Sequence, residues 1–281
     1  MKKWPVFTLM LCVVFAVQAK QLENPDENTL WLEDGAGIEL KTTPGFSHWL
    51  VHGGGKELEM KSKEDGTGFS LFAKDAAGRK TGTRVKLSPE YPYLTFRITG
   101  FELLKGYRNW TVLMDGLMST SQANAPQTGV YVFDLFRNVP EKEAGRNAAY
   151  LQIYLYNLGM SLEYIKLVKK PAYNVRVECA DPEIRPGSKV KFTAELENEA
   201  EDVSLSLSTN YVMTPVNVNG AGKIQLKPVD KTQKVWTAEV EIKSLDLKKA
   251  QPRHRTLIKL NVLGGELDEP VWIGVPYPVA P

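Results

Sequence analysis

The feature that most constrains this chain is a succession of short segments in which apolar and polar residues alternate. Successive side chains of a β-strand point to opposite faces, so alternation predicts a strand with one buried face. Before residue 170 the alternating segments are 29–33, 68–73, 84–87, 93–99, 110–114, 129–136, 150–156 and 162–168. Helical periodicity is confined to 144–151 and 245–250, each sufficient for one or two turns. The pattern therefore predicts an all-β fold of the sandwich or barrel kind.

The chain is long enough for two domains, because its 281 residues exceed what most single hydrophobic cores use. One strand ends at Lys169-Lys170-Pro171-Ala172. Alternation resumes immediately afterwards, at 173–178, 190–196, 203–208, 223–226, 235–242 and 256–262. We therefore expect one domain over residues 20–170 and a second over residues 171–281.

The first 19 residues have the three parts of a secretory signal peptide. Lys2 and Lys3 give a positive start, residues 6–17 form an almost uncharged apolar run, and Val17-Gln18-Ala19 supplies small residues for cleavage. A transmembrane anchor is the alternative, but the run is shorter than the ~20 residues that a spanning helix needs. We expect an exported protein that is periplasmic, at the cell surface or secreted, with no membrane span after signal cleavage.

Charge and cysteine content exclude several classes of function. The chain has 35 basic and 33 acidic residues, so loss of Lys2 and Lys3 with the signal leaves the mature chain neutral. A nucleic-acid partner is not expected, since such proteins carry a concentrated basic surface. Of the two cysteines, only Cys179 lies beyond the signal. A single thiol forms neither an internal disulfide nor a zinc site built on several thiolates.

The C-terminal half carries one resemblance to a known family. The Pro-x-x-x-Pro-Gly turn at 182–187, the following Val190-x-Phe192-x-Ala194 and the segment 236–242 resemble strands of bacterial immunoglobulin-like or fibronectin-III-like accessory domains. The cysteine pair of antibody domains is absent. The resemblance implies an immunoglobulin-like β-sandwich that acts as a spacer or as a protein contact.

The N-terminal half carries a second resemblance. Residues 150–156, a short turn at 157–159 and residues 162–168 resemble the last two strands of galactose-binding-like jelly rolls, and residues 91–98 resemble a central strand of that superfamily. The superfamily includes many carbohydrate-binding modules. The resemblance implies a jelly-roll β-sandwich, and carbohydrate binding is one of the functions that this fold supports.

Aromatic residues beside loops are the candidate ligand contacts. Flat Trp and Tyr rings suit the apolar C–H faces of sugars, while polar neighbours bind the hydroxyls. The candidates form two groups, each near a glycine. The first group is Trp49 with His48, and the second is Tyr107 with Arg108, Asn109 and Trp110. The alternative for any aromatic residue that alternates on a strand is packing in the core. Two long polar connections, 115–128 and 138–147, are expected to form either a binding rim or mobile surface loops.

No catalytic residue is predicted. The chain lacks a Gly-x-Ser-x-Gly nucleophile elbow, and spacing in a β fold does not reveal which carboxylates lie close together. Asp115, Asp134 and Glu163 lie at or near predicted strands and are the carboxylates to consider first, and turn or sheet-edge roles are the alternative for each.

No cofactor is predicted either. His48 and His52 are four residues apart, which on a strand separates them by about 13 Å, too far for one metal ion. A structural calcium ion remains an open alternative, with Glu23, Asp26 and Asp34 as the oxygen ligands near the start of the mature chain.

These observations lead to one predicted function and two alternatives. We expect an exported, non-catalytic binding protein that recognises a polysaccharide or other glycan through loop aromatics of the jelly roll, with the immunoglobulin-like domain as spacer. The first alternative is a structural or protein-interaction component of the cell envelope without a sugar site, whose partners are envelope proteins. A jelly-roll polysaccharide lyase or glycoside hydrolase is disfavoured, because its motifs are missing.

Overall fold

The computed structural model describes residues 22–33, 49–51, 58–64, 66–137, 145–246, 255–264 and 269–280. The predicted signal peptide, His48, His52, Asp34 and most of the predicted loop 138–147 lie outside these ranges.

The described residues contain strands and no helix, so the predicted all-β fold is confirmed. The strands are β1 (Leu22–Asp26), β2 (Thr29–Glu33), β3 (Trp49–Val51), β4 (Glu59–Ser62), β5 (Phe69–Ala73), β6 (Ala77–Thr81), β7 (Val85–Lys86), β8 (Tyr93–Leu103), β9 (Asn109–Met114), β10 (Met118–Ala123), β11 (Gly129–Asp134), β12 (Ala148–Ala149), β13 (Leu151–Tyr156), β14 (Leu158–Val168), β15 (Tyr173–Cys179), β16 (Lys189–Leu196), β17 (Asp202–Thr209), β18 (Pro215–Val218), β19 (Ile224–Gln225), β20 (Lys227–Pro228), β21 (Val235–Glu241), β22 (Leu245–Asp246), β23 (Arg255–Leu263) and β24 (Val271–Pro278).

The described strands form three main sheets and one short two-stranded pair. The large sheet has the order β1-β2-β14-β8-β11-β24-β23-β17-β18-β22, with β19 paired to β17, β5 to β14, and β4 to β5. The five-stranded sheet has the order β10-β9-β13-β6-β3, and the four-stranded sheet has the order β15-β16-β21-β20. The short strands β7 and β12 form a separate pair.

The large sheet is the middle layer between two hydrophobic cores. Strand β11 shows this directly, because Tyr131 and Phe133 belong to the first core and Val132 belongs to the second. The first core lies between the large and five-stranded sheets, and the second between the large and four-stranded sheets. A strand buried on both faces needs apolar residues at nearly every position, as in Val130-Tyr131-Val132-Phe133.

A parallel pairing of β11 with β24 joins strands from the two halves of the sequence. Val130 pairs with Val271 and Tyr131 with Trp272, so the hydrogen-bonded ladder runs without interruption from N-terminal to C-terminal strands. Gly274 permits this close approach, because a Cβ at that position would overlap the Phe133 ring. The two cores are therefore coupled through one continuous sheet.

Two local predictions are wrong. The described parts of the two segments with helical periodicity form strands β12, β22 and the start of β13 instead. The predicted long loop 115–128 contains strand β10, which forms a hairpin with β9. Within the described ranges, no helix is long and apolar enough to cross a membrane.

Candidate functional site

The outer face of the five-stranded sheet is the surface opposite the first core. On β9, Trp110, Val112 and Met114 are fully buried, whereas Asn109 and Thr111 are only half-buried and point away from that core. This period of two follows from the pleat of the strand. The alternation therefore separates core residues from residues available on the outer face.

Tyrosine rings from β13 lie beside polar residues of β9 and β10 on this face. Tyr156 is opposite Asn109, and Tyr154 is opposite Thr111. Thr111 is in turn opposite Ser121 on β10. Directly opposed residues have Cβ atoms about 5 Å apart, so these side chains are immediate neighbours. Aromatic and hydroxyl groups thus alternate across the sheet.

Asn109, Thr111 and Ser121 form a hydrogen-bonded group that we call the polar row. The Thr111 hydroxyl donates to the Ser121 Oγ at 3.0 Å, and the Ser121 hydroxyl donates to the Asn109 Oδ1 at 3.0 Å. These bonds fix the orientation of the two hydroxyl groups, and each oxygen retains further acceptor capacity. The polar row is therefore a preorganised set of donors and acceptors.

Tyr107, Tyr156 and Tyr211 form a second group, which we call the tyrosine cluster. The side chain of Tyr107 is 46% exposed, and its ring centroid lies 5.5 Å from that of Tyr156 at an interplanar angle of 60°. The hydroxyls of Tyr107 and Tyr211 are hydrogen-bonded to each other. The pKa of Tyr107 is raised to about 12, mainly by partial desolvation and secondly by the hydrogen bond to Tyr211. The Tyr107 phenol is accordingly neutral at physiological pH.

An open groove of about 380 Å³ runs along the β10 edge of this face. We call it the edge groove, and its lining residues include Ser119, Ser121, Asn210, Tyr211 and Arg255. Its volume is at the lower end of the range for small-molecule sites, about 300–1,000 Å³. The groove is continuous with the polar row through Ser121 and with the tyrosine cluster through Tyr211.

Asn210 holds the far wall of the edge groove against β10. Its Oδ1 accepts hydrogen bonds from the Thr120 hydroxyl at 2.8 Å and the Ser121 amide at 3.3 Å. Its Nδ2 donates to the Ser119 carbonyl oxygen at 3.0 Å. The next residue, Tyr211, accepts a bond from the Ala123 amide at 2.8 Å through its carbonyl oxygen. A turn from the C-terminal half therefore covers the free edge of the five-stranded sheet.

The residues predicted from sequence separate into exposed and buried sets. Tyr107 and Asn109 belong to the tyrosine cluster and the polar row, and Arg108 lies half-buried between them in sequence, with a backbone bond to Asn124. Trp110 and Trp49 are 0% and 1% exposed. In this conformation neither indole presents a face to solvent, so we do not include the two tryptophans in the candidate site. His48 lies outside the described residues.

The two buried tryptophans have structural contacts instead. The Trp49 indole N–H donates to the Glu33 carboxylate at 3.1 Å. The Trp110 ring packs edge-on against Phe96 and Tyr131 at centroid distances of 6.2 and 5.4 Å. The free energy that such an edge-to-face pair contributes to a core exceeds that expected from the burial of its surface area alone.

The three candidate carboxylates lie in different surroundings. Asp115 accepts a bond from the Gln152 amide, and Asp134 accepts the backbone N–H groups of two following residues at 3.0 Å each. Glu163 forms an ion pair with Arg97 at 2.5 Å. No hydrogen bond or ion pair joins any two of these three carboxylates. Each of the three carboxylates therefore has a partner of its own within the fold.

The side chains of Glu23 and Asp26, two of the residues named for calcium, lie outside the described part of the structure. Glu23 and Asp26 are in β1, and Asp34 is outside the described ranges. In the part of the chain that the structure describes, no group of three His, Cys, Asp or Glu side chains is arranged to hold a metal ion.

Sequence reasoning missed Asn210, Tyr211 and Arg255, all from the C-terminal half. The only local signal was a tyrosine in a polar turn directly after the predicted strand 203–208. It also missed that Ser119 and Ser121 lie on a strand, because that segment is rich in polar residues and lacks the alternation of apolar and polar positions. Their convergence on one groove depends on how the two halves pack, and sequence spacing does not encode it.

Comparison of the sequence with protein-family models and with curated proteins finds no match. Among solved structures, similar ones include the glycoside hydrolase domain of Endo-D from Streptococcus pneumoniae, with 7% identity, 76% of this chain covered, 37% of that chain covered and a TM-score of 0.29. A DUF4785 family protein from Legionella pneumophila has 12% identity, coverages of 81% and 68%, and a TM-score of 0.24. A β-glucuronidase from Lactobacillus rhamnosus has 10% identity, coverages of 72% and 35%, and a TM-score of 0.20.

This chain therefore spans little more than a third of the length of the two glycosidase structures. TM-scores this low do not establish a common fold with any of the three. The candidate site is accordingly argued from its own geometry.

Proposed function

We propose that this chain is an exported, non-catalytic glycan-binding protein whose binding surface is the outer face of the five-stranded sheet. The observation that carries the proposal is the adjacency of the tyrosine cluster to the polar row. A sugar ring has apolar C–H faces and a polar rim, so it is best recognised by a flat aromatic surface with fixed hydrogen-bonding groups at its side.

The exposed ring of Tyr107 supplies the flat surface in this proposal. Its position beside Tyr156 restrains the ring, which reduces the conformational entropy lost when a ligand binds. Asn109 and the two hydroxyls of the polar row are then directed at the sugar rim. The edge groove extends the surface, so that a second sugar unit of an oligosaccharide rests against Ser119 and Tyr211.

A quantitative glycan-binding measurement tests the proposal. Chain 20–281 is screened against a glycan array, and the affinity for each positive glycan is measured by titration calorimetry. Because a stacked ring contributes on the order of 1 kcal/mol beyond its buried area, Tyr107→Ala is expected to weaken binding by about fivefold to tenfold. Tyr107→Phe keeps the ring and is expected to retain most of the affinity.

Tyr164→Ala is the matched control. Tyr164 is a half-buried tyrosine of β14, in a different sheet from the proposed surface; it is paired with Arg97 and faces away from the first core, with Lys166 4.6 Å from its ring centroid. Affinity unchanged in this variant and reduced in Tyr107→Ala supports the proposed surface. Absence of binding to every glycan contradicts the proposal and favours an envelope component without a sugar site.

Export and the absence of catalysis have their own tests. Export rests on the pattern of residues 1–19, and it predicts a mature chain that begins at residue 20 when the full sequence is expressed with a functioning secretion system. Intact-mass measurement of the exported protein detects this cleavage. Release of reducing sugar from a bound glycan would contradict a non-catalytic role.

A further inference from the structure

The Arg255 guanidinium differs from the ion-paired arginines of this protein, because its charge has no carboxylate beside it. Arg97 forms ion pairs with Glu163 and Glu269, and Arg185 forms one with Asp181. Within the described ranges, the Arg255 side chain makes a single hydrogen bond, from Nη1 to the Leu117 carbonyl oxygen at 3.3 Å. No carboxylate among the described residues lies within ion-pairing distance of it.

Arg255 is also positioned between two cavities. It lines the edge groove and, on its other side, a crevice of about 30 Å³ that separates β10 from the second core. Met118, Ser119 and Asn210 also line both cavities. The crevice contains one carboxylate, Asp134, whose Oδ1 is occupied by two backbone N–H groups. No hydrogen bond joins Asp134 or any other described residue to the remaining N–H donors of the guanidinium, so these donors are available to a ligand in the edge groove.

We propose that Arg255 binds an anionic substituent of the glycan, so that the preferred ligand is an acidic polysaccharide carrying carboxylate or sulfate groups. This inference rests on the glycan-binding function proposed above and specifies its substrate class. A partly buried guanidinium binds a planar carboxylate or a sulfate through two parallel N–H bonds, and such bonds are about twice as strong as neutral ones. Ser119 and Tyr211 lie in the same groove and supply further hydroxyl groups.

The electrostatics of the groove agree with this role. Burial alone lowers the pKa of Arg255 from its ordinary value, with no compensating charge to raise it. Arginine nevertheless stays protonated in proteins, so a desolvated positive charge persists in the groove. An anionic group bound in this position would give Arg255 the ion-pair partner that the described residues do not provide.

The test compares anionic polymers with their neutral counterparts. Polygalacturonate and its methyl-esterified form distinguish carboxylate recognition, and dextran sulfate and dextran distinguish sulfate recognition. Affinities of chain 20–281 are measured at two salt concentrations. We expect one anionic polymer to bind at least about tenfold more tightly than its neutral counterpart, and Arg255→Gln to remove that difference. Arg255→Lys is expected to restore only part of it, because lysine lacks the forked geometry.

Arg185→Gln is the matched control, since it removes the same charge at an exposed turn. An equal loss in Arg185→Gln and Arg255→Gln would indicate nonspecific charge attraction and would overturn the inference. Thermal unfolding of both Arg255 variants shows whether the bond to Leu117 is needed for folding, and Arg255→Lys preserves the test if Arg255→Gln unfolds. Neutral polymers that bind as tightly as anionic ones, and lose affinity in Tyr107→Ala, would refute the anionic preference and leave the glycan-binding proposal standing. No binding to any of the four polymers by a protein that binds a neutral glycan on the array would refute the anionic preference alone, and no binding to any polymer or array glycan would refute both.

Discussion

Replacement of Asn210 by alanine is expected to destabilise the protein by about 3 kcal/mol. The side chain makes three hydrogen bonds to β10, and a net value of about 1 kcal/mol for each gives this magnitude. One partner, Thr120, is 0% exposed, so its hydroxyl has no water to replace the lost acceptor. Urea unfolding followed by tryptophan fluorescence measures the loss as a shift of the midpoint at constant slope.

A double-mutant cycle with Thr120→Val separates the interaction from general damage. If the Thr120 hydroxyl depends on Asn210, the double variant is expected to be more stable than the sum of the single losses predicts, by about 1–2 kcal/mol. A loss below about 0.5 kcal/mol for Asn210→Ala, or strict additivity of the two substitutions, would refute the view that Asn210 fastens the C-terminal half to β10.

Three further predictions follow from burial, backbone geometry and titration. Trp110→Ala is expected to reduce the free energy of unfolding by about 3–5 kcal/mol, measured by urea titration, because its indole is fully buried. Gly274→Ala is expected to lower the melting temperature far more than Gly100→Ala, since both glycines would gain a methyl group but nothing lies within 4 Å of the second. Tyr107 and Tyr164 have pKa values raised to about 12, so their contribution to stability is complete below pH 10 and is lost between pH 10 and pH 12, as unfolding experiments at alkaline pH should show.

Strand patterns were predictable wherever one face is apolar. Strand β2 occupies residues 29–33 as predicted, and the predicted segments 173–178 and 190–196 differ from β15 and β16 by a single residue. In these segments the pleat and the burial of alternate side chains are local properties. The class of fold therefore follows from sequence, because it depends only on such local alternation.

Strand β10 was not predictable for a specific physical reason. Its inward residues Thr120 and Gln122 are polar, yet both are 0% exposed. Gln122 donates to the Tyr131 hydroxyl at 2.8 Å, and Thr120 donates to Asn210 at 2.8 Å. Buried polar groups are tolerated when tertiary partners satisfy them, and Asn210 lies 90 residues from Thr120 in sequence. The segment consequently has the composition of a loop.

Strand β24 was missed because it contains residues that normally interrupt strands. Gly274 is required by the neighbouring Phe133 ring, and Pro276 falls where the register with β23 shifts. Both are understandable only when the neighbouring strands are known. The parallel pairing of β24 with β11 is equally invisible in sequence, because it joins segments about 140 residues apart.

The pairing of β11 with β24 also explains why the candidate site depends on both halves of the chain. Its tyrosine cluster and polar row stand mainly on β9, β10 and β13, whereas Tyr211 and Arg255 come from strands and turns that follow residue 170. The β11–β24 ladder joins N-terminal and C-terminal strands in the large sheet, the five-stranded sheet packs on that sheet across the first core, and Asn210 closes the β10 edge. A fragment that ends at residue 170 would lose the far wall of the edge groove and would expose two strand edges that invite aggregation. The aromatic surface and the proposed anion contact are thus far apart in sequence, but both depend on the packing between the two halves of the chain. Substitutions where the two halves pack against each other are therefore expected to change affinity without touching the ligand.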